Sequence, residues 1–375
     1  MNKYRRLQVC LYVAVAITCS LTLHILSQPA SKYATRKDRS LPQFEIKVES
    51  AQRPANKTYK NKIALTTASG EVTSAAQTQQ TGFLRPRFTY FREPELIFND
   101  SCEHDKCGPK IHHKWSMVNF IKSAAGNFIR RELLRRTWGS MRHVDSGRFA
   151  TVFVIGKSEG MTNKLLIEEG DRYGDLLLFN GPDDYQSMPM KTMAGMQWAI
   201  ENLPSDYFYS SGDDDFMVNV GRLQEIIDEG RRNVTDYNWP EFPIICTYRT
   251  INSAQPYRNK TGIYKKWYIS EQEYKWPYYP KSCLGGFYTT RLTAVAQLFE
   301  ESRHTPHLSV DDVWITGILR EKMGMPDDMV VTPNATIAHH FLGYKRKRSD
   351  IKIGFMKNEW AKIKNEFKIK QICTC

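Results

Sequence analysis

The feature that most restricts the fold is an alternation of short apolar runs with segments of helical periodicity between residues 128 and 248. The apolar runs are TVFVIG (151–156), DLLLFN (175–180), DYFYSSG (206–212) and FPIICTY (242–248). The helical segments are FIRRELLRRTWG before the first run, TNKLLIEEGDRYG after it and PMKTMAGMQWAIENL before the third. Near-continuous apolar strands are typical of a sheet covered by helices on both faces, so this order predicts an α/β fold. In such folds, ligands bind at the carboxyl ends of the strands.

An apolar segment near the N terminus predicts a membrane anchor. Residues 7–26 contain no Asp, Glu, Lys or Arg, and about twenty such residues can cross a hydrocarbon core as a helix. Because Lys3, Arg5 and Arg6 precede the segment, we expect residues 1–6 in the cytoplasm and the rest of the chain in the lumen. The alternatives are a cleaved signal peptide, for which the segment is long and no clear small-x-small site follows, and a buried helix, which the polar stretch that follows disfavours.

The sequence after the anchor indicates a spacer and one folded domain. Residues 27–105 are polar and show no core periodicity, so we expect a flexible stem there and a single domain over residues 106–375. In an oxidising compartment, six cysteines allow three disulfides: Cys102, Cys107, Cys246, Cys283, Cys373 and Cys375. Five Asn-x-Ser/Thr sequons also suit the secretory route: Asn56, Asn99, Asn233, Asn259 and Asn334.

The formal net charge is +13, and much of the excess lies near the C terminus, where residues 343–370 hold ten Lys or Arg against three Asp or Glu. A basic segment suits nucleic acid, a membrane surface, an anionic glycan or simply solvent. Because a luminal domain rarely meets nucleic acid, we do not expect nucleic acid as a partner.

Three consecutive carboxylates, Asp213, Asp214 and Asp215, directly follow the third apolar run. Their mutual repulsion disfavours ionisation of all three unless a divalent cation neutralises them. Mg²⁺ and Mn²⁺ take carboxylate oxygens as ligands and also bind diphosphates, so the cluster suits a nucleotide sugar held through its pyrophosphate. The alternative, a polar turn with solvated side chains, is disfavoured by the position at a strand end and by the apolar residues that follow.

Two further motifs carry candidate functional groups. Asp311 and Asp312 open a helical pattern, where they either cap the helix or include a general base that accepts a proton from an attacking hydroxyl. His339 and His340 lie in TIAHHFLGYK, and either imidazole could complete a metal site or have a structural role instead.

Five motifs, in this order, resemble the luminal β-1,3-glycosyltransferase family: the β-1,3-galactosyltransferases, the related N-acetylglucosaminyltransferases and, more distantly, the Fringe proteins. The motifs are RRELLRRTWG, KTMAGMQWA, DDDFMVN, YPKSCLGGFY and VDDVWITGIL, and the resemblance runs from residue 128 to residue 339. It implies a single domain with a GT-A fold, in which helices flank a Rossmann-like mixed sheet. It also implies a single-pass type II Golgi membrane protein whose catalytic domain is luminal.

The chemistry that the resemblance implies is transfer of a hexose, galactose first, from a UDP-sugar to the 3-hydroxyl of a glycan acceptor on glycoprotein or glycolipid, with Mn²⁺ and with inversion. By position, Asp215 and His339 are expected to bind the metal, with His340 as the alternative ligand. Asp312 matches the general base. Contacts to the nucleotide or its phosphates are expected from the other matched residues: Asp213, Asp214, Arg131 and Arg135.

Two motifs depart from the family's pattern. Relatives often carry Lys shortly before the Asp run, where this chain has Ser210, Ser211 and Gly212, and the adjacent Gly285 and Gly286 are atypical of the Gly loop. N-acetylglucosamine and N-acetylgalactosamine are therefore alternatives to galactose. A different class of function, an inactive membrane-anchored homologue that binds glycans or nucleotide sugars, is the other alternative. The sequence is compatible with either a monomer or a homodimer.

Overall fold

The structure is a computed structural model that describes residues 87–95, 98, 113–144, 146–233, 243–250, 254–262, 264–333, 336–340 and 349–369. All of them belong to one compact unit, residues 76–375. The predicted anchor, most of the predicted stem and four of the cysteines (Cys102, Cys107, Cys373 and Cys375) lie outside the described residues. Within the described ranges, no helix is both long enough and apolar enough to cross a bilayer.

The described residues form a nine-stranded mixed sheet and a separate two-stranded sheet. The strands are β1 (Tyr90–Arg92), β2 (Trp115–Lys122), β3 (His143–Val144), β4 (Gly147–Lys157), β5 (Leu176–Pro182), β6 (Phe208–Asp213), β7 (Phe216–Val218), β8 (Ile244–Cys246), β9 (Phe287–Arg291), β10 (Val330–Val331) and β11 (Ala338–His340). The large sheet has the order β1-β5-β4-β2-β6-β9-β8-β10, with β3 paired to β4, and the small sheet pairs β7 with β11. Strands β5, β4, β2 and β6 are parallel, whereas β9 is antiparallel to both neighbours.

Helices cover both faces of the large sheet. They are α1 (Phe128–Arg135), α2 (Gly160–Tyr173), α3 (Met188–Asn202), α4 (Val220–Asn233), α5 (Leu292–Glu301), α6 (Asp311–Val313, a π-helical part Trp314–Leu319, and Arg320–Lys322) and α7 (Ser349–Glu366). Helices α1, α2, α4 and α7 supply side chains to one core cluster, and α3, α5 and α6 supply the other. The predicted α/β fold with a mixed sheet is confirmed.

The composition of the central strand β2 explains why helices cover both faces of the large sheet. All eight of its residues are buried, with Met117 and Ile121 in one core cluster and Val118 and Phe120 in the other. Since burying one such side chain contributes roughly 1.5–3 kcal/mol, a strand of this composition is stable only between two layers of helices.

The order of the parallel strands predicts where a ligand-binding crevice lies. From β2 the chain moves outward to β4 and β5, and then returns to the other side of β2 as β6. The carboxyl ends of β2 and β6 therefore flank the point where the winding reverses, which is where α/β sheets bind ligands. Lys122 ends β2 and Asp213 ends β6, and the two residues are paired in register.

Strand β1 lies before the predicted stem boundary at residue 105. Its residues pair with β5, and nearby side chains bind helix α3: the Phe88 N–H donates to Gln197 Oε1 (2.8 Å), and the Tyr90 hydroxyl donates to the Ala194 carbonyl (2.9 Å). The folded domain thus includes residues that the sequence assigned to the stem. A three-residue edge strand after a polar stretch carries too little periodicity to be recognised.

Candidate active site

The β6–β7 turn holds its middle aspartate, Asp214, inside the protein. Ser123 Oγ and Asn127 Nδ2 both donate to Asp214 Oδ2, at 2.7 and 2.8 Å. Arg130 Nη1 donates to the other oxygen at 2.7 Å. Because these donors occupy a buried carboxylate, Asp214 fixes the turn against the β2–α1 connection. The expected contact of Asp214 with the nucleotide stays a prediction.

Asp213 lies beside a buried lysine from the neighbouring strand. Lys122 Nζ is 3.2 Å from Asp213 Oδ1 and 2.8 Å from Asp311 Oδ2. Burial alone would lower the pKa of Lys122, but the two carboxylates outweigh it and hold that pKa well above its ordinary value. Lys122 therefore stays charged and joins the Asp213 turn to the start of α6. The residues directly before the Asp run include no lysine. Lys122 of β2 provides a cation beside Asp213 instead.

The remaining aspartate of the turn, Asp215, pairs with a histidine of the small sheet. Antiparallel pairing of β7 with β11 sets His340 opposite Phe216, one residue from Asp215. His340 Nε2 is 3.3 Å from Asp215 Oδ2, and Arg130 Nη1 is 3.8 Å from the same oxygen. Successive side chains of a strand point to opposite faces, so His339 projects away from Asp215. The structure thus favours the alternative ligand, His340, over His339.

Asp215 and His340 fit a divalent cation that is bound together with a substrate. Two neighbouring ligand atoms of an octahedral ion lie about 3 Å apart when each bond is about 2.1 Å long, close to the separation of Asp215 Oδ2 and His340 Nε2. In the described part of the chain, no group of three or more His, Cys, Asp or Glu side chains is arranged to hold a metal. A site with few protein ligands that is completed by phosphate oxygens and water is typical of Mg²⁺.

Asp312 occupies the first turn of α6 and faces the loop that precedes β9. Gly285 N–H donates to its Oδ2 (2.5 Å), and the Val313 N–H donates to its Oδ1 (2.9 Å). Burial, reinforced by the Asp311 carboxylate, raises the pKa of Asp312 to about 6, although the two N–H groups oppose the shift. A carboxylate that titrates near neutral pH suits a general base.

The Gly285–Gly286 pair connects Asp312 to the aspartate turn. Gly286 has φ +79°, and a Cβ there would lie 2.0 Å from Phe216 Cζ, so only glycine fits this close approach. Its carbonyl accepts a hydrogen bond from the Asp213 N–H (2.9 Å). The loop that binds Asp312 through Gly285 is therefore also tied to the end of β6.

A disulfide holds the start of the same loop. Cys246 of β8 is bonded to Cys283, with their Cα atoms 5.3 Å apart. The Cys283 N–H also donates to Thr316 Oγ1 on α6 (2.8 Å). This pair is one of the disulfides that the six cysteines allowed.

Arg131 and Arg135 bind carboxylates within the domain, and their expected contact with the nucleotide stays a prediction. Arg131 is fully buried and makes five hydrogen bonds within the domain, two of them to Glu169. Arg135 donates to Glu169 Oε1 (2.7 Å) and to both oxygens of Asp175. Their guanidinium groups thus hold α1 against α2 and β5, and Arg131 could reach a ligand only by leaving these partners.

Sequence reasoning missed three groups at this site: Lys122, Arg130 and the Gly285 N–H. Lys122 ends a strand that was not predicted, although a charge at the end of an apolar run was a usable signal. Arg130 stands beside Arg131 in the first motif, and helical geometry decides which of the two faces the aspartate turn. The Gly285 N–H is a backbone group and leaves no sequence signal.

Comparison with known proteins identifies relatives of this region. Residues 129–330 match the family model described as Galactosyltransferase. The β-1,3-galactosyltransferase brn of Drosophila melanogaster is 32% identical over 209 residues, which cover 56% of this chain and 61% of that protein. Human β-1,3-galactosyltransferase 5 is 27% identical over 214 residues, covering 56% and 64%. Human lactosylceramide 1,3-N-acetyl-β-D-glucosaminyltransferase is 28% identical over 251 residues, covering 61% and 63%. Each match spans less than two thirds of the relative's length.

Among solved structures, the galactosyltransferase LgtC in complex with donor and acceptor sugar analogs matches 68% of this chain and 97% of its own, at a TM-score of 0.31 and 10% identity. Mouse xyloside xylosyltransferase 1 matches 60% and 85%, at a TM-score of 0.28 and 13% identity. Scores this low carry no argument about fold or function.

Proposed function

Since this chain belongs to the galactosyltransferase family, we propose that it is an inverting β-1,3-glycosyltransferase of the GT-A type. Its reaction is transfer of galactose from UDP-galactose to the 3-hydroxyl of a glycan acceptor on glycoprotein or glycolipid. The observation that carries this proposal is the ion pairing of one buried lysine, Lys122, with both Asp213 and Asp311. This pairing joins the turn that we propose to bind the donor to the helix that carries Asp312.

The mechanism uses the two sides of the crevice differently. Asp312 accepts the proton of the acceptor 3-hydroxyl while that oxygen attacks the anomeric carbon opposite the departing UDP. One in-line displacement converts the α-linked donor sugar into a β-linked product. Asp215 and His340 would hold Mn²⁺, which when bound neutralises charge on the diphosphate. Asp213, kept in place by Lys122, borders the donor site.

The donor sugar has alternatives within the same reaction. N-acetylglucosamine is one alternative, because the human lactosylceramide enzyme, at 28% identity, is about as similar to this chain as human β-1,3-galactosyltransferase 5, at 27%. N-acetylgalactosamine is the other alternative. An inactive homologue that only binds glycans or nucleotide sugars is disfavoured because Asp213, Asp215 and Asp312 all stand at the positions that match the family's motifs.

We also propose that the protein is a single-pass type II membrane protein with its catalytic domain in the Golgi lumen. The apolar residues 7–26 support an anchor, and the basic residues before them support this orientation. The Cys246–Cys283 disulfide supports an oxidising compartment.

The test is UDP release by the purified full-length chain with UDP-galactose, UDP-N-acetylglucosamine or UDP-N-acetylgalactosamine, a panel of glycan acceptors, and Mn²⁺ or chelator. We expect release with one donor only, which requires an acceptor, is abolished by chelator and is lost in Asp312→Asn. A folded chain that binds UDP and Mn²⁺ but releases no UDP with any donor would instead support the inactive homologue.

A further inference from the structure

A cluster of aromatic rings joins the loop before helix α3 to residues 264–267. Tyr264 and Trp267 stack with their ring centroids 5.3 Å apart and an angle of 21° between the planes. Trp267 Nε1 donates a hydrogen bond to the Tyr185 hydroxyl at 2.6 Å. Lys266 Nζ lies 4.8 Å from the centroid of the Tyr185 ring and 4.6 Å from that of Trp267. We call these four residues the aromatic ledge.

The position of Tyr185 links the aromatic ledge to the catalytic carboxylates. Thr192 Oγ1 on helix α3 donates to Asp311 Oδ2 (3.0 Å), and the loop that leads into this helix carries Tyr185. Two residues earlier, Asp183 is fixed by an ion pair with Lys191 (2.6 Å). The loop that carries Tyr185 is thus held against helix α3 at the border of the crevice.

Two of the rings remain open to solvent. Tyr185 is 42% exposed and Tyr264 is 40% exposed, although hydrogen bonding and stacking fix both in place. Exposed aromatic surface with polar groups at its rim is typical of a binding site. A pyranose ring has a matching form, with an apolar C–H face and hydroxyl groups around its edge.

We propose that the aromatic ledge binds the sugar ring of the acceptor, whose C–H face packs on Tyr264 and Trp267 while the Lys266 ammonium and the Tyr185 hydroxyl contact the ring hydroxyls. This inference rests on the proposed function, since it assigns the acceptor to the side of the crevice that carries Asp312. The donor is assigned to the Asp213–Asp215 turn. The ledge thus presents the 3-hydroxyl of the acceptor to its base.

The experiment compares Trp267→Ala with the parent full-length chain, using methyl β-galactoside and methyl β-N-acetylglucosaminide as acceptors so that no aryl group can stack on the ledge. We expect the acceptor KM to rise roughly tenfold, the loss of about one stacking contact. The donor KM is expected to change less than about twofold. Trp267→Phe keeps a ring and is expected to restore most of the acceptor affinity.

Two further variants control for misfolding and for non-specific effects on the acceptor KM. Tyr264→Ala removes an exposed ring and is expected to raise the acceptor KM even if Trp267→Ala fails to fold. Trp276→Ala is the matched control, since Trp276 is 59% exposed on the same segment but does not belong to the ledge. We expect the Trp276 variant to keep the parent's acceptor KM.

The outcomes separate the two proposals. A parent chain that transfers no sugar to either acceptor or to the wider glycan panel overturns the proposed function, and the ledge with it. A parent that transfers sugar, combined with unchanged acceptor KM in both ledge variants, overturns the ledge alone. A rise in the donor KM rather than the acceptor KM also overturns it, because the rings would then bind the donor.

Discussion

Lys122 Nζ lies 2.8 Å from Asp311 Oδ2 and so joins the end of β2 to the first turn of α6, although the two residues are 189 positions apart. Asp312 follows on that turn, and Asp213 lies on the other side of the lysine. One buried cation thus joins the aspartate turn to the helix that carries Asp312, the proposed base. Its replacement is a direct test of the arrangement.

Lys122→Met is expected to destabilise the domain by about 3–5 kcal/mol and to abolish transfer, because it leaves two carboxylates buried without their cation. The free energy of unfolding from denaturant titration measures the first effect, and acceptor-dependent UDP release measures the second. Lys122→Met combined with Asp311→Asn should recover part of the stability, since it removes one of the uncompensated charges.

The matched control for this prediction is an exposed ion pair. Arg136 pairs with Glu132 on the surface of the domain, with 71% of the arginine side chain exposed. Arg136→Ala should therefore change the free energy of unfolding by at most about 1 kcal/mol. Equal losses in the two variants would show that the buried lysine does not hold the crevice together.

Transfer is expected to depend on pH through Asp312. The base acts in its ionised form, and burial together with Asp311 raises the pKa of Asp312 to about 6. The rate should therefore fall as the pH drops through about 6 and be level above it. The measurement is UDP release across this range with saturating donor, acceptor and Mn²⁺.

Asp311→Asn provides the control for the pH profile. It removes the charge that helps to raise the pKa of Asp312, so the acid limb should move to lower pH. An acid limb that stays in place, or moves to higher pH, would mean that another group controls the rate.

The two neighbouring histidines of β11 are expected to respond differently to substitution. His340 lies next to Asp215, whereas His339 projects from the other face of the strand. His340→Ala should raise the Mn²⁺ concentration for half-maximal transfer by roughly tenfold or more, and His339→Ala by less than about twofold. Calorimetric titration of Mn²⁺ in the presence of UDP checks the same order without turnover. The reverse order would restore His339 as the ligand.

Much of the sheet could be predicted from the sequence, because its strands are continuous apolar runs. Residues 151–156 fall within β4, and residues 206–212 overlap β6. Strand β2 was missed because Asn119 interrupts its apolar run. Asn119 is buried nonetheless: it donates to the Ala150 carbonyl (3.1 Å) and accepts from Ser210 Oγ (2.5 Å). These partners come from neighbouring strands, which local periodicity does not reveal.

The candidate site, like the sheet, could be predicted only in part. Adjacent carboxylates such as Asp311 and Asp312 are visible as motifs, since their spacing along the chain is itself unusual. Their partner is not visible, because Lys122 lies 189 positions from Asp311 and meets it only in the folded domain. Arg131 was assigned to the nucleotide because sequence does not distinguish a buried arginine paired with Glu169 from one that faces a ligand.

The glycine at position 286 gives a final prediction, on stability. Gly286 has φ +79° and Phe216 Cζ 2.0 Å from the position of a Cβ, so Gly286→Ala combines backbone strain with overpacking. We expect a loss of roughly 2–4 kcal/mol in the free energy of unfolding. Gly354→Ala is the control, because Gly354 lies within α7 and a Cβ there meets no atom within 4 Å. It should stabilise the domain by about 0.5–1 kcal/mol, as alanine favours a helix over glycine. If Gly286→Ala unfolds at the same denaturant concentration as the parent, the loop that ties Asp312 to β6 is not held as closely as the structure indicates.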